Sequence, residues 1–417
     1  MSTVPTDLAR PLEGIRVLDL TVALSGPYAT MLLGGLGAEV IRVEAPGGSD
    51  VSRTNPPFVG KDGLNYGSNE EGDLALTTLN RARNKKSITL DLKSRQGREI
   101  LMRLAAECDV LVENMSEGTA ARLKVDYDHV RLANPRLIYA SIKAFGEPSG
   151  YQNLKGMDII VQALSGVMDA TGVPEGPPTR CGLPVADLVA PMFCVQGVLA
   201  ALIQRGRTGQ GQRVQVSMLD CLASWVAEEH FDVLTKPGQP TRTGNFLDRL
   251  SPFGVYPTLD GHVAIVAFQP DWMKALLEVV GRPELADDPR FATRGPRLQN
   301  ASALNEVIQD WTMSVTTDVV VRELLDKRGV PAAKVRTPHE VVHDPLLQQS
   351  GAVTRLRHPR HGDVGAFGMG LPIKFSASQA QFDQPALELG VSNEDVYRNL
   401  LKLSDDELSA LRAAGVI

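Results

Sequence analysis

The stretch "IRVLDLTVALSGPYATMLLGGLGAEVIRVEA", residues 15–45, contains the pattern that decides the fold. It begins with "IRVLDLT", a short apolar run of strand length, and continues with "GPYATMLLGGLG", a helical segment that ends in glycines. "AEVIRVEA" follows as a second strand. A strand, a helix and another strand in this order predict one unit of a parallel sheet, because parallel neighbours need a crossover between them.

The same alternation continues to about residue 145. "SITLDL", "DVLVENM" and "RLIYASIKAFG" are three more runs of strand length, and "SRQGREILMRLAAE" predicts a helix with Ser94 as its N-cap. The last two strands are apolar at successive positions, which is typical of strands buried on both faces. We therefore predict an α/β fold in which helices cover both faces of a parallel sheet.

The length and charge of the chain limit the classes of protein to consider. A chain of 417 residues is longer than one ordinary domain and predicts two or three. A net charge of −6 gives no general footprint for nucleic acid, so any bound anion must be held by a local cluster. The cysteines form no C-x-x-C pair, which favours reduced thiols in a cytoplasmic compartment. They are Cys108, Cys181, Cys194 and Cys221.

Targeting and membrane signals are not evident in the sequence. The N-terminus has no basic head followed by a long apolar run, so we expect no secretory signal. No apolar stretch approaches the ~20 residues that a membrane helix needs. The expected location is the cytoplasm, with neither membrane nor nucleic acid as a partner.

The composition changes from about Phe231. Residues 234–252 are polar and rich in proline and glycine, as at a domain boundary. "FGVYPTLDGHVAIVAF" then predicts two strands joined at Asp260-Gly261, a favoured hairpin turn. The helical patterns that follow complete a predicted smaller α+β domain. They lie near residues 271–280, 301–314 and 317–328.

Two well-known catalytic patterns are not favoured by the residues around them. Glu44 lies where a ribose-binding acid would follow the second strand, but the first turn has no G-x-G-x-x-G for a dinucleotide. "HEVVH", His339 to His343, matches the H-E-x-x-H pattern of zinc hydrolases. Pro338 and Pro345 bracket it and leave about two helical turns at most. A metal hydrolase that uses His339 and His343 stays open as a minor alternative.

A basic segment precedes the third predicted strand. "LNRARNKKSITLDL" places Arg81, Arg83, Lys85 and Lys86 close together in an acidic protein. One interpretation is a solvated loop. The other is a clamp for phosphate groups, which need local positive charge and bidentate donors.

Asp187 is the most informative carboxylate. It lies in "CGLPVADLVAPMFCVQGVLAALIQRG", residues 181–206, where a turn-rich segment meets an apolar helix. It could serve as the N-cap of that helix. Alternatively it is a nucleophile, held ionised by the helix N-terminus with a pKa near the usual ~3.9. Small neighbours such as Gly182, Ala186 and Ala190 leave room for an acyl group.

Several motifs together resemble the class III CoA-transferase family, which is typified by formyl-CoA transferase and carnitine CoA-transferase. The resembling segments are residues 11–50, "NKKSITLDLKSRQGREIL", "DVLVENM", "GMDIIVQALSG" and "TGQGQRVQVSMLD". The resemblance implies a large Rossmann-like domain with a parallel sheet, a smaller α+β domain and an interlocked homodimer. The implied division assigns residues 1–200 to the large domain, 201–230 to a linker, 231–330 to the small domain, 331–350 to a second linker, and 351–417 to the completion of the large domain.

The resemblance also implies a site and a reaction. Asp187 matches the family's nucleophilic aspartate, which would form an acyl anhydride and then an aspartyl-CoA thioester. The substrates would be an acyl-CoA and a small carboxylic acid, with no tightly bound cofactor and no metal. The residues that match CoA-contacting regions are Asn80, Arg81, Lys85, Lys86, Asn114, Arg122 and Lys143.

Departures from related enzymes narrow the expected reaction. The α-methylacyl-CoA racemases resemble this chain but carry a histidine base where Met157 stands, and methionine cannot transfer protons. Racemisation or isomerisation is therefore the second hypothesis. Val22 and Leu24 replace polar residues of the oxalate-using members, whose glycine-rich loop is also missing. A larger acid, with succinyl-CoA as donor, fits better. Arg53 and Arg180 could pair with a second carboxylate or be ordinary surface arginines.

Overall fold

The computed structural model describes residues 9–48, 50–67, 70, 72–151, 154–236 and 240–417. Residues 1–8, on which the expectation of no secretory signal partly rests, lie outside the described residues, as do residues 237–239 of the predicted boundary segment. The chain divides into two compact units. The larger comprises Met1–Ser165, Cys181–Glu229 and Val342–Ile417, and the smaller comprises Gly166–Arg180 and His230–Val341.

The strands of the described residues are, in chain order, β1 (Arg16–Asp19), β2 (Glu39–Glu44), β3 (Phe58–Gly60), β4 (Gly63–Asn65), β5 (Leu74–Ala75), β6 (Lys85–Thr89), β7 (Val110–Glu113), β8 (Ile138–Lys143), β9 (Arg213–Ser217), β10 (Phe253–Pro257), β11 (His262–Val266), β12 (Ala332–Lys334), β13 (Val353–His358) and β14 (Gly362–Met369).

The α-helices of the same residues are α1 (Ser25–Gly35), α2 (Val51–Thr54), α3 (Leu76–Arg81), α4 (Arg95–Ala106), α5 (Thr119–Arg122), α6 (Tyr127–Ala133), α7 (Asp158–Leu164), α8 (Val167–Ala170), α9 (Val185–Thr208), α10 (Met218–Glu228), α11 (Phe231–Leu234), α12 (Pro270–Val280), α13 (Arg294–Gln299), α14 (Ala301–Thr312), α15 (Thr317–Val321), α16 (Pro338–Val342), α17 (Pro345–Gln349) and α18 (Asp405–Ala413). Short 3₁₀ helices lie at Asp248–Leu250 and Pro283–Ala286, and π-helical turns at Arg322–Asp326 and Asp395–Leu400.

A six-stranded sheet is the centre of the larger unit. Its order is β6-β2-β1-β7-β8-β9, and every neighbouring pair is parallel. The chain adds strands outward from β1 in one direction and then, from β7, in the other. The sheet therefore reverses its direction of growth between β1 and β7, and a crevice opens at the carboxyl ends of strands at such a point. The predicted α/β fold with a parallel sheet is confirmed.

The sheet is buried as its apolar strands predict. Leu18, Ile41, Ile88 and Leu111 are fully buried and form part of one core cluster. Ser94 caps α4 by accepting the N–H of Gly97 at 2.9 Å, as predicted. The C-terminal segment of the chain completes the same core with Val396, Tyr397, Leu401, Leu403, Leu408, Leu411 and Val416.

The boundaries of the two units differ from the predicted domain boundaries. Residues 201–229, expected as a linker, form the end of α9, then β9 and α10, within the larger unit. The second expected linker, residues 331–350, is divided between the units after Val341. Residues 166–180 belong to the smaller unit, where the N–H of Gly244 donates to the carbonyl of Gly172 at 3.0 Å. Long-range hydrogen bonds of this kind cannot be read from local composition.

One helix among the described residues, α9, is long and apolar enough by composition to cross a membrane. The expectation that no apolar stretch approaches that length was therefore wrong. α9 packs on β8, β9 and α10 of the larger unit. Gly197 allows its close approach to the sheet, because a Cβ there would meet Val214 at 2.6 Å. These contacts are those of a core helix, so its length is weak grounds for a membrane span.

The smaller unit contains the antiparallel sheet β10-β11-β12. β10 and β11 form the predicted hairpin, with the N–H of Thr258 donating to the carbonyl of Gly261 at 2.9 Å. The three predicted helices correspond to α12, α14 and α15, the last continuing into the π-helical turn. Their apolar faces bury Tyr256, Ile265, Leu276, Ile308 and Leu324.

Candidate active site

A cavity of about 940 Å³ opens in the larger unit at the carboxyl ends of β1, β7, β8 and β9. This is the edge of the sheet at which open α/β folds bind their ligands. Somewhat more than half of the lining residues are apolar, and five charged side chains lie among them: Glu117, Lys143, Lys155, Asp158 and Asp187. The lining consists of residues 22–25, 114–117, 142–146, 149, 151, 154–159, 187 and 218.

Asp187 faces this cavity from the first turn of α9. It is not the N-cap: that position is Pro184, and no side chain of α9 itself caps the helix. Instead Oδ1 of Asp158, from the first turn of α7, accepts the N–H groups of Ala186 at 2.9 Å and Asp187 at 3.3 Å. The interpretation of Asp187 as an N-cap is wrong because another aspartate already performs that role.

The surroundings of Asp187 make its carboxylate more basic than usual. Burial, and after it the negative charge of Asp158, raises the pKa of Asp187 to about 6. The charge of Arg81 and a hydrogen bond from the Ser25 hydroxyl act in the opposite direction but do not outweigh burial. The ordinary pKa expected from the sequence was therefore wrong. At pH 7 the group is still mostly ionised, and its greater basicity favours attack on a carbonyl carbon.

The turn between β1 and α1 is held rigidly beside Asp187. Asn114 accepts the N–H of Val22 at 2.9 Å and donates to the carbonyl of Val22 at 2.8 Å. Asp50 accepts the N–H of Ala23 at 3.0 Å, and Arg81 donates to the carbonyl of Ala23 at 3.1 Å. Ala23 has a φ of 64°, a left-handed conformation that costs a non-glycine residue about 1 kcal/mol or more. Four hydrogen bonds to two residues maintain it.

Gly26 lets this turn approach the strand before it. A Cβ at Gly26 would meet the Cβ of Thr21 at 2.3 Å, so a side chain at this position would displace the turn. The same turn places Ser25, which is buried, against the carboxylate of Asp187. Neither Ser25 nor Asp158 is identifiable as a site residue from the sequence, because each reaches Asp187 only through the fold.

Three of the predicted CoA-contacting residues lie at or beside the cavity. Asn114 and Lys143 line it. Arg81 lies close enough to Asp187 for its positive charge to lower the pKa of that carboxylate. The ammonium of Lys143 is bound to the Glu113 carboxylate at 2.8 Å and to the carbonyl of Met115 at 2.8 Å. Any ligand that uses Lys143 would meet an ion pair, not an isolated cation.

The other predicted contacts lie away from the cavity lining. Lys85 is buried in an ion pair with Asp19 at 3.0 Å, so it cannot reach a phosphate in this conformation. Lys86 is half exposed and pairs with Glu39 at 2.8 Å and Asp395 at 2.6 Å. Asn80 accepts a hydrogen bond from buried Arg83 at 2.8 Å, and Arg122 donates to Thr119 at 3.0 Å on the exposed α5. The basic segment is thus divided among separate structural contacts instead of forming one clamp.

The remaining candidates have other partners. Arg53 donates two hydrogen bonds to Glu44, at 2.6 and 2.7 Å. Arg53 is therefore not free to bind a second substrate carboxylate, and Glu44 is not free to bind the ribose of a dinucleotide. Arg180 is exposed in the smaller unit. Neither lines the cavity that contains Asp187.

The H-E-x-x-H pattern does not form the expected helical pair of histidines. α16 ends at Val342, so His343 lies beyond the helix. Glu340, the base of the zinc hypothesis, pairs with Lys334 at 2.9 Å and accepts the N–H of Thr337 at 2.7 Å. Within the described ranges, no three His, Cys, Asp or Glu side chains are grouped for a metal ion. These contacts do not favour the hydrolase hypothesis.

Comparison with known proteins gives consistent results over nearly the whole chain. The sequence profile of CoA-transferase family III matches residues 12–393. The chain is 33% identical to succinyl-CoA--D-citramalate CoA-transferase of Chloroflexus aurantiacus over 98% of both chains. It is 36% identical to formyl-CoA:oxalate CoA-transferase of Streptomyces coelicolor, over 98% of this chain and 100% of that one.

A third relative and a crystal structure extend the comparison. The chain is 38% identical to succinyl-CoA:mesaconate CoA-transferase of Haloarcula hispanica over 88% of this chain and 90% of that one. The crystal structure of a CAIB/BAIF family protein from Brucella suis superimposes with a TM-score of 0.81 at 33% identity, over 94% of this chain and all of that one.

Proposed function

This chain belongs to CoA-transferase family III, and from that premise we propose that Asp187 transfers coenzyme A between two carboxylic acids through covalent intermediates. The observation behind this proposal is the exposure of the Asp187 carboxylate to a cavity at the carboxyl ends of the parallel strands. The substrates are an acyl-CoA and a free carboxylic acid, and the proposed reaction uses neither a metal nor a tightly bound cofactor. The strand order of the large sheet supports the Rossmann-like description.

In the first step an ionised oxygen of Asp187 attacks the thioester carbonyl carbon of the donor. The carbon–sulfur bond breaks, CoA leaves as a thiolate, and a mixed anhydride joins Asp187 to the donor acid. We propose the amides of Ser25 and Gly26 as donors to the oxyanion. They begin α1, and the first amides of a helix have no acceptor within it.

In the second step the CoA thiolate attacks Cγ of Asp187. The donor acid leaves as a carboxylate, and an aspartyl-CoA thioester remains. The acceptor carboxylate then attacks the same carbon and releases the thiolate, which takes the acyl group from the second anhydride and frees Asp187. One thioester replaces another, so no further energy source is needed. Apolar residues of the cavity such as Leu24, Ile142 and Phe145 would keep water from the anhydride.

Transfer is favoured over racemisation by the residue at position 157. Met157 lines the cavity and is 68% exposed, so its side chain is available to a ligand. A thioether has no proton to give or accept near neutral pH. Deuterium from solvent appearing at the α-carbon of a bound acyl-CoA would support the racemase alternative instead.

We propose succinyl-CoA as the donor and a dicarboxylic acid larger than oxalate as the acceptor. Relatives named for succinyl-CoA support this choice, although a formyl-CoA:oxalate enzyme is similar to the same degree. Lys155 also supports it. It is exposed, lines the cavity and makes no ion pair with any of the described residues. A second carboxylate on the substrate is a suitable partner for that ammonium.

The covalent proposal is tested by incubating the enzyme with succinyl-CoA in the absence of an acceptor. Hydroxylamine then converts activated carboxylates to hydroxamates, which peptide mass analysis locates. We expect modification at Asp187 and none at Asp158, a matched internal control because it lines the same cavity. An unmodified Asp187 in an enzyme that still transfers CoA would refute the mechanism. Measuring transfer to a series of mono- and dicarboxylic acids tests the substrate proposal separately.

We also propose a cytoplasmic, interlocked homodimer. Support for self-association comes from apolar side chains that the larger unit leaves exposed on the mutually packed helices α7, α9 and α10. They are Leu164, Met192, Phe193, Ile203 and Trp225. Light scattering should report twice the chain mass, and Ile203→Glu should lower it. Cys108, Cys194 and Cys221 are buried and form no disulfide, which agrees with a reducing compartment.

A further inference from the structure

Asp158 makes a set of contacts that the transfer mechanism described above does not use. It begins α7 and lines the cavity together with Asp187. Its Oδ1 accepts two amides of the first turn of α9, those of Ala186 and Asp187. Its Oδ2 accepts the side-chain amide of Gln162 at 2.6 Å. Both carboxylate oxygens are therefore engaged, and neither is bound to a cation within the described residues.

Gln162 extends these contacts to the segment before α9. Its side chain is fully buried. Its oxygen accepts the N–H of Cys181 at 2.9 Å, and its amide also lies 3.3 Å from the carbonyl of Leu183. Asp158 and Gln162 together hold residues 181–187 at both ends, so the position of the Asp187 backbone depends on α7.

We propose, on the basis of the function proposed above, that Asp158 is a positioning residue: it fixes the first turn of α9 and places a negative charge beside Asp187 that makes Asp187 a stronger nucleophile. Free amides at a helix N-terminus would stabilise a carboxylate in the first turn. Here Asp158 occupies the two amides closest to Asp187. The carboxylate of Asp187 is consequently next to the negative charge of Asp158. Without Asp158, it would be next to the free amides of α9, which carry partial positive charge.

Besides the two aspartates, the charged residues that line the cavity are Glu117, Lys143 and Lys155. Arg81 from α3 is the cation that acts on Asp187, and Ser25 from α1 donates a hydrogen bond. Lys143 from β8 lines the same cavity but is paired with Glu113. The charge of Asp158 follows burial as a cause of the raised pKa of Asp187. Removing that charge while keeping its hydrogen bonds should therefore make Asp187 less basic.

A less basic Asp187 changes two chemical steps. It attacks the donor thioester more slowly, because a weaker base is a weaker nucleophile. It is also a better leaving group from the mixed anhydride. In the productive direction the thiolate forms a bond to Cγ of Asp187, the bond from Cγ to the bridging oxygen breaks, and the donor acid departs as a carboxylate. A basic Asp187 favours this direction over return to the donor acyl-CoA.

The test uses Asp158→Asn and the double variant Asp158→Asn/Gln162→Glu. The amide oxygen at position 158 can still accept both amides of α9. In the single variant, however, the NH₂ group of the asparagine at position 158 would face the NH₂ group of Gln162, and two donors cannot form a hydrogen bond. Glutamate at position 162 removes this conflict, can accept the N–H of Cys181, and keeps the total charge, but it gives up the 3.3 Å contact with the carbonyl of Leu183. The double variant therefore removes the charge at position 158 while keeping the hydrogen bonds to the amides of Cys181, Ala186 and Asp187.

For both variants we expect the acid limb of the pH–rate profile to move down by about one pH unit. We also expect kcat at pH 8 to fall about threefold with KM for acyl-CoA unchanged. The carboxyl band of Asp187, isolated as the infrared difference from Asp187→Asn, should titrate with the same shift. A titration midpoint equal to that of the wild type in the folded double variant would overturn the proposal. The infrared measurement needs no turnover, so a failure of the covalent mechanism, detected by hydroxylamine mapping, remains distinguishable.

Discussion

Asp19 and Asp187, two aspartates of the larger unit, have opposite surroundings. Asp19, at the end of β1, is paired with Lys85 at 3.0 Å and accepts hydroxyl hydrogen bonds from Thr21 at 2.5 Å and Thr30 at 2.7 Å. Burial alone would raise the pKa of Asp19, but the charges of Lys85 and Arg42 and the two hydroxyls outweigh burial and lower it. Asp187 has one hydroxyl, no ion pair among the described residues, and a pKa raised to about 6.

The contrast separates a carboxylate that stabilises the fold from one available for chemistry. A buried charge with a full set of partners has little capacity left for a substrate. A half-buried charge that faces a cavity and a like charge remains reactive and reduces the stability of the folded state at neutral pH. Exchanging or removing the partners of each aspartate should therefore change activity at one and stability at the other.

The largest expected effect is that of Asp187→Asn on turnover. Loss of the nucleophile should lower kcat at least ~10³-fold, with little change in CoA binding measured by calorimetry. The matched variant Asp19→Asn should not remove the hydroxylamine-sensitive modification at Asp187 in the fraction that folds. Substantial transfer by Asp187→Asn would mean that Asp187 is not the nucleophile.

Asp187→Asn should also be more stable than the wild type at pH 8. The folded-state pKa of Asp187, about 6, is above its unfolded value of ~3.9, so the cost of ionising Asp187 in the folded state grows between these two pH values and is fully present above pH 6. The gain should be on the order of 1 kcal/mol and should disappear as the pH falls towards 4. Urea unfolding at both pH values measures it. An equal difference at pH 8 and pH 4 would contradict the assignment.

The opposite sign is expected at Asp19. Asp19→Asn leaves the Lys85 ammonium buried without its counter-charge and should cost about 3 kcal/mol of unfolding free energy near neutral pH. Because the folded-state pKa of Asp19 is lowered, its contribution is present above the unfolded pKa and is lost as the pH falls through the folded value. Asp19→Asn/Lys85→Met should recover some of the loss in urea unfolding. No recovery would mean that the ion pair is not the main source of this stability.

The local pattern of the sequence is sufficient to predict most of the large sheet, but not which partners surround each charged residue. β1, β2, β7 and β8 lie in apolar runs bounded by turn residues, which is a local signal. β6 begins two residues before the predicted strand "SITLDL", at Lys85, and overlaps that strand at residues 87–89. β3, β4 and β5 have two or three residues each, too few to show a period. The apolar run after Asp187 correctly predicts a helix that begins there. Its capping partner Asp158, however, is 29 residues away in the chain and is brought there only by the packing of α7 on α9.

The basic segment illustrates the same limit. Lys85 and Lys86 are adjacent and chemically identical, and nothing in the local pattern distinguishes them. In β6 they point to opposite faces of the sheet, as successive strand residues must. Lys85 is buried against Asp19, whereas Lys86 is half exposed and pairs with Glu39 and Asp395. Contacts that are distant in the chain make Lys85 the interior residue: its ammonium also donates to the carbonyl of Pro27 in α1 at 2.8 Å.

The pH dependence of the wild-type enzyme tests the reactive carboxylate directly. If the ionised form of Asp187 is the nucleophile, kcat/KM should be half-maximal near pH 6 and fall about tenfold for each pH unit below it. An aspartate in ordinary surroundings would place this midpoint about two units lower. A profile flat down to pH 5 would show that burial and Asp158 do not control the group.

The smallest expected effects come from the hydroxyls. Ser25→Ala removes a hydrogen bond to the ionised form of Asp187, so its pKa should rise and the acid limb should move up by a few tenths of a pH unit. The matched change Thr30→Val, beside Asp19, should leave that limb in place and instead cost about 1 kcal/mol of stability. If both variants changed the pH profile to the same extent, the two aspartates would belong to one coupled network, and the separation of their roles would not hold. If only Ser25→Ala moves the acid limb, Ser25 acts on Asp187 in addition to burial and Asp158, and Thr30 belongs to the stabilising partners of Asp19.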